Sequence, residues 1–386
     1  MKIIFFAHPL FLGSHSMSRF AGMLADGMGK RGHHVEIWRP DALFSRLPVT
    51  RIKKWLGYID QYLIFPLLVK AKMLSKDNNV LYVLSDHALG PYMGLIHRKR
   101  HIIHCHDFLA QKSALGQLAE NPTSSTGKIY QAYIRRGYQK GKHFISVSKQ
   151  TKADLEKFLP VPPIISEMIY NGLSSSFQPS IDQHALQLLS AKLNLPLNGG
   201  FIMHVGGNQW YKNRSGIILI YNQWRAEYKH YLPLVLIGEE PSPVLKELRK
   251  QSDFRDDIHF ITGLSNAEIR VAYTAATLFI FPSLAEGFGW PIAEAMASGI
   301  PVITTDEAPM TEVAGAAAFL LKRKPLSFPE ENEWAINSAA ILNQVVSLSP
   351  SAREIVINQG IQNCKRFDME EALDHIERVY LRLYND

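Results

Sequence analysis

Short apolar runs recur along the chain, each followed by a helix-like pattern; the series stops near residue 170 and starts afresh at Phe201. Residues 2–7 form one continuous apolar run, 11–14 read as a turn around Gly13, and 18–30 follow with helical spacing. Gly32 ends that helix, and 34–38 make a second strand. Further strands are expected at 80–84, 101–104 and 143–147, after which Ser148 caps a helix over 149–158 that Pro160 ends. Strands alternating with helices imply a parallel sheet covered on both faces. The interruption has its own composition. Asn171-Gly172 is a turn signal, 174–179 is mostly small and polar, and 194–200 is rich in Asn, Pro and Gly. Strands then recur at 201–205, 234–237, 259–261, 278–281 and 301–304. The expected fold class is α/β, with two doubly wound Rossmann-like domains facing across a cleft. Each aims the loops at its carboxyl strand ends toward a ligand. Residues 1–178 and 179–368 are the expected domains, and a length of 386 residues suits two cores better than one.

The residue content narrows the function classes. Hydrophobic residues are 46% and charged residues 20%, a globular balance, and the formal charge is +7. That charge suits nucleic acid, an anionic membrane surface or a diphosphate ligand, and equally a mildly basic enzyme with no special partner. No aromatic-basic platform motif is present, which argues against nucleic acid. Cys105 and Cys364 are the only cysteines, far apart, so neither a disulfide framework nor a zinc site is expected and a cytoplasmic protein fits. His8-Pro9 cuts the first apolar run too short for a signal peptide, and no stretch reaches the length of a membrane span. No Gly-x-Gly-x-x-Gly follows a strand, which sets a nicotinamide enzyme aside.

Residues 282–299 carry the chemistry. Gly287 and Gly289 let the backbone turn tightly after strand 278–281, and Pro291 suits the first turn of a helix starting near Trp290. The N–H groups of that turn, together with Gly287, Phe288 and Gly289, make an anion site suited to a diphosphate. Glu286 stands before the helix at its positive end, where it can accept hydrogen bonds from sugar hydroxyls. Glu294 lies one turn in and can reach a ribose. Taken singly, Glu286 reads equally as a cap and Glu294 as an exposed helical charge. Gly299 closes the helix.

A Glu, seven residues and a second Glu, preceded by Pro282-Ser283, resembles the hallmark of the retaining glycosyltransferases of family 4 (glycosyl transferases group 1), which have the GT-B fold. Asn171-Gly172, Val205-Gly206 followed by Lys212-Asn213, Ile237-Gly238, Phe260 to Gly263 and Thr311 to Gly315 resemble further family segments in order. The resemblance implies that Glu286 holds donor-sugar hydroxyls, Glu294 the ribose, and Lys212 the donor phosphates beside Gly206. It implies that Thr262, Gly263 and Leu264 frame the nucleotide base, and that Gly13 lets the first loop approach the phosphates. His104-Cys105-His106-Asp107 resembles the family's His-x-His-acid segment, which makes His106 the candidate beside the anomeric carbon; without the family, a His after a buried strand reads as a structural hydrogen-bonder. One departure stands out. Gly207 and Tyr211 occupy positions where the family often has an Arg; Arg214 either substitutes for it or, on a helix, points elsewhere.

The function implied is transfer of a hexose, with mannose and a GDP- or UDP-linked donor as first expectations, to a glycan or lipid-linked acceptor. Retention, a front-face path and no cofactor are implied with it. No Asp-x-Asp pair for a metal is present, and Asp253, Asp256 and Asp257 have the wrong spacing. A catalytically silent nucleotide-sugar-binding or scaffold protein is the alternative that the missing Arg permits. Residues 46–72 mix Arg51, Lys53, Lys54, Lys70 and Lys72 with Trp55, Tyr58, Tyr62 and Phe65. Such a segment either lies on the inner face of an anionic membrane or packs on the first domain with its basic edge in solvent. Residues 369–384 are amphipathic, and the resemblance implies that they return to the first domain.

Overall fold

The computed structural model describes residues 1–12, 15–48, 52–74, 79–180 and 182–385. It divides into two compact units, Met1–Tyr170 with Glu370–Asp386, and Asn171–Met369.

The first unit contains β1 (Lys2–Phe6), β2 (His34–Trp38), β3 (Val80–Leu84), β4 (His101–Cys105), β5 (His143–Ser146) and β6 (Ile165–Met168). They form one parallel sheet in the order β2-β1-β3-β4-β5-β6, with Phe6 opposite Leu84. On one face Ile4, Phe6, Tyr82, Leu84, Ile103 and Cys105 pack with Phe65, Tyr92, Phe108 and Tyr138. The other face is closed by the last helix of the chain, Met369–Asn385. Its buried residues Leu373, Ile376, Val379, Tyr380 and Leu383 form one helical stripe. Tyr380 lies 6.4 Å from the Phe5 ring and bonds His104 Nε2 at 2.7 Å. Arg31 clamps the helix edge through Asp374 (2.5 Å) and Glu370 (2.8 Å).

The second unit contains β7 (Ile202–Gly206), β8 (Leu234–Gly238), β9 (Ile258–Ile261), β10 (Leu278–Phe281), β11 (Val302–Thr305) and β12 (Ala318–Leu321). These are parallel in the order β12-β11-β10-β7-β8-β9. Ile202, Leu236, Leu278 and Ile303 pack against Ile217, Tyr221 and Trp224 of helix Arg214–Glu227 and Trp334 and Leu342 of helix Phe328–Val346. Residues 171–178 are tied into this unit. Leu173 bridges Asp368, Trp290 Nε1 donates to the Gly172 carbonyl at 3.4 Å, and Phe177 stacks edge-on against Tyr273.

β6 and β12 have no counterpart in the sequence reading. Both lie at sheet edges; β6 (Ile165-Ser166-Glu167-Met168) carries no continuous apolar run, whereas β12 is an apolar run, Ala318-Phe319-Leu320-Leu321, that the sequence reading passed over. Other elements begin where expected within a residue or two, except that the first helix starts at His15. Ser148 caps helix Lys149–Phe158 by accepting from the Thr151 N–H. Among the described residues, no helix is long and apolar enough to cross a membrane.

Strand order fixes where ligands can sit. In the first sheet β1 connects outward to β2, and β3 then returns to the other side of β1; in the second, β10 lies on the opposite side of β7 from β8. The crevices beyond β1/β3 and β7/β10 are therefore the topological switch points, where open α/β sheets bind ligands.

Candidate functional site

The loops leaving β7 and β10 are stitched together. The Leu284 N–H donates to the Tyr211 carbonyl at 2.7 Å, and the Asn213 amide donates to the Pro282 carbonyl at 2.9 Å. Asn213 is buried and left-handed at φ 51°, a conformation that Asn tolerates better than most residues, so the Lys212-Asn213 pair is a geometric requirement of this stitch. Lys212 Nζ then reaches Glu286 Oε1 at 2.7 Å and lies 4.8 Å above the Phe281 ring. Ser283 Oγ donates to the same oxygen at 2.8 Å. Both charged side chains are mostly buried, 14% and 9% exposed, so each group satisfies the other where water is scarce. The position is the switch point of the second sheet.

Helix Trp290–Ala297 begins directly beyond, with Gly289 at φ 103° as its left-handed N-cap and Pro291 in the first turn. A side chain at Gly289 would be strained there. Gly287 continues the loop, and Phe288 is buried, its ring 5.4 Å from Phe367. Glu286 is thus no cap: it stands three residues before the N-cap and is held by Lys212 and Ser283. Nor is Glu294 an exposed helical charge. It is 7% exposed, and Tyr273 from helix Asn266–Ala275 donates to its Oε2 at 3.2 Å.

Gly206 ends β7, where a Cβ would come within 2.8 Å of His204 Nε2 and 3.4 Å of Lys212 Cδ. His204 is fully buried; its Nδ1 bonds the Ile280 carbonyl at 3.0 Å, and burial lowers its pKa to about 3, so it is neutral. At Gly207 a Cβ would lie 2.5 Å from Gln209 Oε1 and 2.7 Å from Glu239 Oε1. These are the ends of exposed, flexible side chains, and Glu239 also accepts the Asn208 N–H at 3.0 Å. Arg214 is 3% exposed; its Nη1 donates to Asn208 Oδ1 (2.7 Å) and the Glu239 carbonyl (3.1 Å), and its guanidinium lies over Phe260. It braces the same loop from below. Thr262, Gly263 (φ 73°) and Leu264 follow β9, two strand spacings (about 10 Å) from β7.

In the first unit, His106 follows β4 and is 6% exposed. Its Nε2 donates to the Ser85 carbonyl at 3.0 Å and its ring meets Phe20 edge-on at 4.3 Å. Burial pushes its pKa down, only partly offset by Asp86, so the ring is neutral. Gly13 lies outside the described residues. The structure thus joins Lys212 and Glu286 directly and sets Gly206, Gly287, Phe288, Gly289 and Glu294 around them. Ser283, Asn213 and Tyr273, which hold these residues, carry no local sequence signal for that role. Among the described residues, no group of three or more His, Cys, Asp or Glu is placed to hold a metal ion.

Known families match both halves of the chain: Glycosyltransferase Family 4 over residues 17–177 and Glycosyl transferases group 1 over residues 187–361. The chain is similar to the O-antigen chain mannosyltransferase B of Escherichia coli, 24% identical over 400 residues, covering 98% of this chain and 99% of that one. Its fold resembles that of sucrose-phosphate synthase from Thermosynechococcus elongatus (TM-score 0.75, 17% identity, 100% of this chain and 99% of that one). It also resembles Anabaena Alr3699/HepE, solved with UDP and glucose (TM-score 0.71, 16% identity, 99% of this chain and 100% of that one). With two parallel six-stranded sheets flanked by helices and both halves matched, the chain belongs to the family 4 glycosyltransferases, the glycosyl transferases group 1, and has the GT-B fold.

Proposed function

We propose that this glycosyltransferase moves a hexose, mannose in the first instance, from a GDP- or UDP-linked donor to a glycan or lipid-linked acceptor, with retention and without a metal ion. The observation that carries the reading is the Lys212–Glu286 pair at the second sheet's switch point. The name of the Escherichia coli relative supports mannose. On donor binding, Lys212 turns from Glu286 to the diphosphate, and Glu286 accepts hydrogen bonds from the sugar hydroxyls. Gly206, Gly287, Phe288 and Gly289 let backbone approach the phosphates, as does Gly13. Glu294, held by Tyr273, takes the ribose, and Thr262, Gly263 and Leu264 frame the base.

In the transfer the bond from the anomeric carbon to phosphate oxygen breaks and the acceptor oxygen bonds to that carbon on the same face. The acceptor proton passes to the departing phosphate. Lys212 stabilises the charge that develops there, a preorganised electrostatic contribution. His106 contributes a neutral ring whose Nε2–H is committed to Ser85, leaving Nδ1 to accept from a donor-sugar hydroxyl.

A membrane-linked acceptor is supported by the segment after residue 52. Helices Lys53–Ile59 and Phe65–Met73 flank a π-helical turn, Asp60–Ile64. Trp55, Leu63, Leu67 and Leu68 remain exposed between 48% and 62%, beside Lys53, Lys54, Lys70 and Lys72. Apolar side chains left in water beside cations suit an anionic membrane surface, so the enzyme works at the inner membrane face.

The first test is thermal stabilisation of the purified chain by UDP, GDP, ADP and their sugar conjugates without added metal. One nucleotide class should raise the melting temperature. A folded sample indifferent to all of them contradicts donor binding, and binding without any transfer to water or acceptor points to a silent sugar-nucleotide binder.

A further inference from the structure

The switch point of the first sheet is also occupied by a side-chain pair. The β1–β3 register, extended two residues past Phe6 and Leu84, sets His8 opposite Asp86. His8 Nε2 lies 2.8 Å from Asp86 Oδ2. Asp86 Oδ1 is 2.9 Å from His87 Nδ1, out of line for a hydrogen bond but close enough to form an ion pair. Burial disfavours the Asp86 charge, yet His87 and His8 together hold its pKa well below the ordinary carboxylate value. For His87 burial again opposes charge and Asp86 outweighs it, so that its pKa is raised.

An ionised carboxylate only accepts hydrogen bonds, so His8 must carry its proton on Nε2. In the neutral ring Nδ1 then bears a lone pair. His8 is also the most open of the three, 15% exposed against 9% for Asp86 and His87. An imidazole whose Nε2–H is committed to a carboxylate presents Nδ1 at a position where open α/β sheets bind ligands, which is matched to a hydroxyl and not to a phosphate. A buried carboxylate with two histidines on it has no packing advantage over an apolar cluster, so packing alone gives no account of it.

We propose that His8, oriented by Asp86, is an acceptor-sugar site: its Nδ1 takes a hydrogen bond from a hydroxyl of the hexoside that receives the transferred sugar. The assignment rests on the transferase reading above and adds to it the residue that recognises the second substrate. Asp86 is a positioning residue. An Asn amide in its place can donate to His8 Nε2, which moves the ring proton to Nδ1 and turns an acceptor into a donor.

The test uses the full chain, with methyl α-D-mannopyranoside as the probe and imidazole 15N shifts as the reporter of the ring. In the wild type His8 carries its proton on Nε2, and its Nδ1 signal moves as the mannoside is titrated. His8→Ala should weaken mannoside binding about tenfold, the loss of one well-made hydrogen bond. Asp86→Asn should do at least as much and invert the tautomer, while both variants keep the wild-type stabilisation by GDP or UDP. If Asp86→Asn does not fold, His8→Ala decides alone. Mannoside binding unchanged in folded His8→Ala overturns the proposal. So does a His8 proton on Nδ1, or a wild type that binds nucleotide and not the mannoside. A wild type that binds no nucleotide removes the transferase reading itself, and the acceptor assignment with it.

Discussion

The crevice beyond β7 and β10 holds an ion pair, Lys212 with Glu286, whereas the crevice beyond β1 and β3 holds a histidine on a carboxylate, His8 with Asp86. Both sit where a parallel sheet reverses its winding, and both are largely shielded from water. The difference lies in what each can release. Lys212 and Glu286 can separate, and in the proposed function they do so into a cation for phosphate and an acceptor for hydroxyls, so that one ligand carrying both groups replaces the pair at once. His8 keeps its partner and offers a single lone pair, enough to orient a hydroxyl and too little to bind a charged group. On the proposed reading, the unit with the separable pair takes the activated substrate and the unit with the fixed pair takes the substrate that attacks it.

Four experiments break or sharpen that contrast. Glu286→Ala should lower transfer by about two to three orders of magnitude with the fold retained, far more than the tenfold expected at His8. Equal losses in steady-state assays would erase the distinction. Acid should weaken both units, and the first more, because its sheet buries His101, with a pKa lowered to about 4, as well as His104, against His204 in the second. His104 faces His106 and Tyr380, His204 faces Arg214 and Lys212, and burial lowers both pKa values to about 3. The unfolded chain binds these protons near pH 6.5. The stability they confer is therefore complete above that pH and is lost as pH falls toward 3, by roughly 2 kcal/mol per histidine at pH 5. Urea midpoints between pH 7 and 5 measure this, and His204→Met should remove about one proton from the slope. Gly207→Arg should destabilise by only about 1 kcal/mol without strengthening nucleotide binding, because the flexible ends of Glu239 and Gln209 must move aside and Glu239 stays at hand to pair with the guanidinium. A gain in GDP or UDP affinity would show the loop to be free to open. Tyr273→Phe should have a similarly small effect, about 1 kcal/mol in unfolding free energy, with a lower nucleotide-induced melting shift through Glu294.

How far the sequence reached differs between the two sites for a physical reason. Glu286, Gly289, Pro291 and Glu294 fall within one strand–loop–helix segment, so turn and helix chemistry alone gave them a site. Lys212 was reachable only through the family pattern, since 74 positions separate it from Glu286. His8 and Asp86, 78 positions apart, meet because β3 lies beside β1, and strand order is not written in either apolar run. The burial of Arg214 was not legible because it comes from Phe260 on a distant strand. The central strands were legible because burial on both faces demands unbroken apolar runs; β6 was not because Ser166 and Glu167 break its pattern at an edge, and β12 was missed although Ala318 to Leu321 is apolar throughout.

The helix Met369–Asn385 belongs to the first unit yet is made after the whole of the second. A ribosome releases the first sheet with the His104 face covered only in part, by Phe20 of the first helix, and about two hundred residues must follow before Leu373 and Tyr380 arrive to close it. The first unit is therefore the last to be finished. Nascent chains stalled before residue 369 should carry a completed second sheet and a half-dressed first one, open to chaperones and proteases through most of synthesis.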